Sequence, residues 1–168
     1  MIGTGANTLS VVQFAKREAR RRQQERIKEY DEVWIVIDRD SFPAERFNSA
    51  IAQCAATPNF YCAWSNEAFE LWYVLHFQFR NTPMVRTEYA RVIETELNKR
   101  LPASTSAFRY RKNDAQMYDL LQAYGDEPGA IRNAKKLVAL FEGARFAEWN
   151  PCTRVFELVE RLNALKSG

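Results

Sequence analysis

The spacing of apolar residues changes period along the chain. Leu9, Val12, Phe14, Ala15 and Ala19 recur at the three-to-four-residue spacing of a helix face, which predicts a helix to about Tyr30 with Thr8 or Ser10 as its cap. Val33-Trp34-Ile35-Val36-Ile37 then forms an almost unbroken apolar, β-branched run. Such a run is expected of a strand covered on both faces, as in a parallel sheet. Phe42-Pro43 breaks it, Ala44 to Ala56 returns to helical spacing, and Thr57-Pro58-Asn59 marks a turn. Phe60-Tyr61-Cys62-Ala63-Trp64 follows as a second strand. Strand, helix, strand is a parallel crossover unit.

Downstream, every periodic segment is helical. Helices are expected over Glu67 to Phe79, Thr87 to Arg100, Asp114 to Tyr124, Pro128 to Glu142 and Pro151 to Lys166. Pro128 and Pro151 suit the first helical position, where a missing N–H costs nothing, and Asn150 suits the cap before the last helix. The expectation is one domain over 1–168, an α/β core over 1–79 and a helix-rich C-terminal half over 80–168. Two strands make a small sheet; Met1-Ile2 before Gly3-Thr4-Gly5 reads as the tail of another strand.

Composition changes this picture little. With 168 residues, 46% apolar and 13% aromatic, the chain can bury a core. It has no apolar stretch long enough to span a membrane, and MIGTGANTLS lacks the basic and apolar regions of a signal peptide. Cys54, Cys62 and Cys152 show no CxxC spacing and share the chain with one histidine, so a reduced, cytoplasmic setting is expected over a zinc site or disulfide scaffold. The net charge of +3 says little about partners. Seven bases between Lys16 and Lys28, against Glu18 and Glu25, suit phosphate contact or simply a solvated helix face.

The candidate chemistry lies where the strands end. Asp38 and Asp40 close the first strand, and residues two apart in extended backbone point to the same side. In open α/β sheets ligands bind beyond the carboxyl ends of the strands, and paired carboxylates there suit Mg²⁺ or Mn²⁺. The plainer alternative is a turn with Asp40 as helix cap or Arg39 pairing locally. After the second strand come Ser65 and Asn66, natural caps, then Glu67 and Glu70 one helical turn apart. Glu70 is flanked by apolar residues and needs a partner: a metal, an arginine or a backbone amide. His76 falls on a different helix face from Glu70 and reads better as a packing residue than as a base. Phe108-Arg109-Tyr110-Arg111-Lys112-Asn113 interleaves aromatics with bases, suited to nucleic acid or to a surface loop with Tyr110 packed inward.

YDEVWIVIDRDSF, FNSAI, AWSNEAFELWYVLHF, YRKND, AIRNA and NPCTRVFELVERL appear in this order over most of the chain. In these blocks the sequence resembles the RloB-like family, small proteins of bacterial phage-defence and restriction-linked loci. The resemblance implies a Toprim-like, parallel-sheet α/β domain in which acidic residues hold Mg²⁺ for phosphodiester chemistry. It makes Asp38 and Asp40 the metal-binding pair. Glu70, with Ser65, Asn66 and His76, falls in a second signature, and Lys112 and Asn133 become secondary binding candidates. Relatives begin with a strand ending in an EGEKTE-like acidic motif and a helix; MIGTGANT instead matches the Gly-rich segment that follows. The first-strand glutamate would act as general acid/base, so a truncated chain, substitution by Glu70, or binding without cutting are the three expectations.

The functional expectation is a Mg²⁺-dependent nuclease, or nuclease remnant, of a phage-defence (abortive infection) system, with a partner ATPase by family analogy. The alternative is a non-catalytic module binding nucleic acid or a partner protein. An unpaired sheet edge would also favour homo-oligomers.

Overall fold

The computed structural model describes residues 8–166. Among them the order is α1 (Thr8–Gln24), β1 (Val33–Asp38), α2 (Ala44–Ala55), β2 (Phe60–Asn66), α3 (Glu70–Leu75), α4 (Arg86–Asn98), α5 (Met117–Tyr124), α6 (Glu127–Val138), a 3₁₀ turn (Phe146–Glu148), β3 (Cys152–Thr153) and α7 (Val155–Lys166). β1 and β2 run parallel, from Val33 opposite Phe60 to Asp38 opposite Ser65. β3 adds antiparallel to the far end of β2, with Ser65 opposite Thr153 and Asn66 opposite Cys152. The molecule is therefore α/β with a small mixed sheet, order β1-β2-β3. The strand tail expected at Met1-Ile2 lies outside the described residues.

The crossover β1–α2–β2 forms because its apolar residues converge on one core. Ile35, Ile37, Phe47, Ala50, Cys54, Ala63 and Trp64 are all buried. Trp64 is fully enclosed, with Phe47, Phe146 and Trp149 rings at 5.7, 5.4 and 6.0 Å. Burying each such side chain contributes about 1.5–3 kcal/mol. Leu71, Val74, Leu75, Tyr89, Ile93, Leu97, Ala134 and Leu137 continue the core between α3, α4 and α6.

Several boundaries differ from expectation. α1 stops at Gln24, short of Tyr30. The sheet is not covered on both faces: Val36 and Tyr61 are each 43% exposed, and Tyr61 stacks on Trp34 at 4.9 Å. The helix expected over 67–79 is only Glu70–Leu75, because Ser65 and Asn66 belong to β2 and cap nothing. Their side chains are used inward: Ser65 Oγ bonds Thr153 Oγ1 at 2.8 Å, and Asn66 Nδ2 donates to the Ala147 carbonyl at 2.9 Å. A cis peptide joins Asn66 to Glu67, so Glu67 lies before the helix rather than one turn below Glu70.

The last helix starts at Val155, not Pro151. Pro151 follows Asn150 through a cis bond and leads into β3, and Asn150 Oδ1 is buried with no hydrogen-bond partner, so it caps no helix. α6 is capped by Asp126, whose Oδ1 accepts the Gly129 N–H at 2.9 Å, with Glu127 ahead of Pro128.

Candidate functional site

The carboxyl ends of β1 and β2 are tied together beyond the strands themselves. Arg39 N–H donates to the Ser65 carbonyl at 2.9 Å, and Asp40 N–H donates to the Glu67 carbonyl at 2.9 Å. Asp38, Asp40 and the Ser65–Glu67 segment thus share one end of the parallel pair. The extended-backbone spacing does not continue through it, because Asp40 has φ +46. That left-handed conformation suits Asp better than most residues, and it folds the chain into the turn closed by Phe42 N–H on the Arg39 carbonyl at 3.0 Å. Asp38, Arg39 and Asp40 are half-buried. Arg39 Nε is buried without a hydrogen-bond partner among the described residues.

Glu70 stands at the first turn of α3 and is 6% exposed. Its Oε1 accepts the Tyr110 hydroxyl at 2.9 Å. The partner anticipated for this buried carboxylate is therefore a tyrosine, rather than a metal, an arginine or a backbone amide. Tyr110 also packs edge-on against Tyr73 at 6.3 Å. Burial raises the Tyr73 hydroxyl pKa above its ordinary value, with the charges of Glu70 and Asp114 adding to the effect. The segment Phe108–Asn113 is thus drawn against α3, with Tyr110 turned inward and Lys112 exposed.

The remaining candidates gather at the opposite end of α3. His76 is buried, with both ring nitrogens lacking hydrogen-bond partners and Trp72 edge-on at 5.1 Å. Burial pushes its pKa down from 6.5 to about 4, against the opposing pull of Glu127 and Asp126. Its carbonyl accepts the Asp126 N–H at 3.2 Å, and Asn133 Nδ2 donates to the neighbouring Leu75 carbonyl at 3.0 Å. His76 and Asn133 join α3 to α6, the packing role expected for the histidine.

The candidates therefore fall into three places: strand tips (Asp38, Asp40, Ser65, Asn66), the Glu70–Tyr110 contact with Lys112 beyond it, and the α3–α6 junction (His76, Asn133). Among the described residues no three His, Cys, Asp or Glu side chains converge as a metal-holding group. Tyr110 is the contributor that sequence reasoning missed; the need of Glu70 for a donor was the available signal. The basic stripe on α1 is partly neutralised, since Arg21 pairs with Glu18 and Glu25 at 3.0 and 2.8 Å, and Arg22 lies over the Tyr30 ring at 4.4 Å. No helix among the described residues is long and apolar enough to cross a membrane.

No curated protein and no solved structure matches the chain. The family model described as "RloB-like protein" matches residues 2–162, and the chain belongs to that RloB-like family.

Proposed function

We propose that the chain is a Mg²⁺-dependent, Toprim-like nuclease of a phage-defence system, acting on nucleic acid at the tips of β1 and β2. The observation that carries this reading is the linkage of the two tips. Asp38 ends β1, and Asp40 is fixed by its N–H to the Glu67 carbonyl just beyond β2. The donor set suits Mg²⁺ (or Mn²⁺) in one specific way. Mg²⁺ keeps several waters and takes one or two carboxylates plus substrate phosphate oxygens, rather than a full protein cage. Asp38 and Asp40 would hold it, and the ion when bound would offset the charge of the scissile phosphate.

The protein's own residues supply the rest. Arg39 Nε is an unused donor beside the pair, available to a phosphate oxygen. Glu70 acts through Tyr110, keeping the 108–113 segment beside α3. A partner ATPase enters by analogy with the family's defence loci.

The second reading is a binding module without cleavage, favoured by the absence of a third converging metal ligand among the described residues. A cleavage assay on DNA and RNA with Mg²⁺ or Mn²⁺ separates the two. Cleavage by the wild type and none by Asp38→Ala/Asp40→Ala is expected. Equal cutting by both sinks the strand-tip assignment; binding without cutting by the wild type selects the module.

A further inference from the structure

A cavity of about 660 Å³ opens between the residues following α4, the segment 105–116 and α5. Its lining includes Ser106, Phe108, Arg109, Arg111, Lys112 and Asn113. Only one carboxylate, Asp114, shares the lining, and its Oδ1 already accepts the Gln116 N–H at 2.9 Å. Arg109 is engaged by Glu94 at 3.2 Å. Arg111 and Lys112 are exposed and carry no ion pair among the described residues. The cavity therefore has uncompensated positive charge, with a hydroxyl and an amide beside it.

The walls are held in place. Phe108 N–H donates to Asn98 Oδ1 at 2.7 Å, while Asn98 Nδ2 donates to the Phe108 carbonyl at 3.0 Å. Tyr110 is fixed twice, by its N–H to Glu94 Oε1 at 3.0 Å and its hydroxyl to Glu70 at 2.9 Å. A cavity held this way loses little freedom on binding. Its volume lies within the roughly 300–1,000 Å³ range of small-ligand pockets.

We propose that this cavity seats one nucleotide unit, its phosphate on Arg111 and Lys112 and its base against Phe108. The proposal deepens the nucleic-acid reading above and rests on it for preferring a nucleotide to other phosphate esters. The same chemistry is offered by a nucleotide within a strand and by a free nucleoside monophosphate.

Fluorescence anisotropy of the full chain with short labelled single-stranded DNA and RNA, in EDTA, tests it. Arg111→Ala/Lys112→Ala is expected to bind about tenfold or more weakly, with a salt slope reduced by about two, one for each lost phosphate contact. Ser106→Glu, which adds a carboxylate to the lining, should weaken binding in the same direction. Thermal melts by circular dichroism check that both variants remain folded. Displacement of the labelled strand by AMP or dAMP assigns the site to the free nucleotide as well. Binding that AMP leaves unmoved, yet both variants lose, assigns it to the strand alone. No binding by the wild type, or wild-type binding by both variants, overturns the proposal. Cleavage by Asp38→Ala/Asp40→Ala equal to wild type would sink the strand-tip reading and leave the cavity assignment standing.

Discussion

At the scale of single residues, two buried polar groups lend themselves to direct tests. His76 is held neutral by burial, its pKa lowered from 6.5 to about 4. The unfolded chain therefore binds one more proton than the folded chain between those values. Stability from this residue is complete above about pH 6.5 and falls as pH drops towards 4, by roughly 3 kcal/mol in all. Urea denaturation across that window should show a shallower loss for His76→Gln than for wild type; parallel curves would mean His76 is not the residue titrating. Glu70 makes a different case, since a hydroxyl 40 positions away satisfies it. Tyr110→Phe keeps the ring packed on Tyr73 but removes that donor from a carboxylate only 6% exposed. The expected cost is about 1–3 kcal/mol in urea unfolding, and a loss under 0.5 kcal/mol would show the bond to be dispensable.

At the scale of elements, what was legible was local. The β1–α2–β2 unit could be read because its period changes and its breakers, Phe42-Pro43 and Thr57-Pro58-Asn59, are written in consecutive residues. β3 could not. Cys152-Thr153 is a strand because Ser65 and Asn66 pair with it across the fold, and Thr153 Oγ1 bonds Ser65 Oγ. That same partnership takes Ser65 and Asn66 away from α3 and shortens the helix. The acidic pair was legible as carboxylates closing a strand, whereas the left-handed turn at Asp40 was set by a hydrogen bond to Glu67 that no spacing encodes. The junction of α5 and α6 with α3 shows how tightly such long-range contacts are fitted. A Cβ at Gly125 would stand 2.7 Å from the Leu121 carbonyl oxygen and 2.8 Å from His76 Nδ1. Gly125→Ala should therefore cost about 1–3 kcal/mol by overpacking, read as a lower denaturation midpoint. Wild-type stability would mean that α5 and α3 separate freely there.

At the scale of the whole molecule, the two proposed ligand sites have opposite charge and are linked through one contact. Asp38 and Asp40 gather at the strand tips, Arg111 and Lys112 line the cavity, and Tyr110 ties the basic segment back to Glu70 at the start of α3. Such a separation lets a polyanion be gripped by cations while its scissile phosphate reaches carboxylates that repel it until a divalent ion is present. The cation dependence should then be measurable without any substrate. An ion that binds only the folded chain stabilises it by mass action, by about 2.7 kcal/mol at a hundredfold excess over its dissociation constant. For a domain of this size that is a rise of roughly 5–10 °C in melting temperature. Titration with Mg²⁺ or Mn²⁺ is expected to raise the wild-type midpoint in this way and to leave Asp38→Asn/Asp40→Asn flat. An equal rise in both would place the ion away from the strand tips. A flat wild type would mean that the two carboxylates need the phosphate itself to complete the ion's shell, and the same titration with a non-cleavable phosphorothioate strand present should then restore the difference between the two proteins.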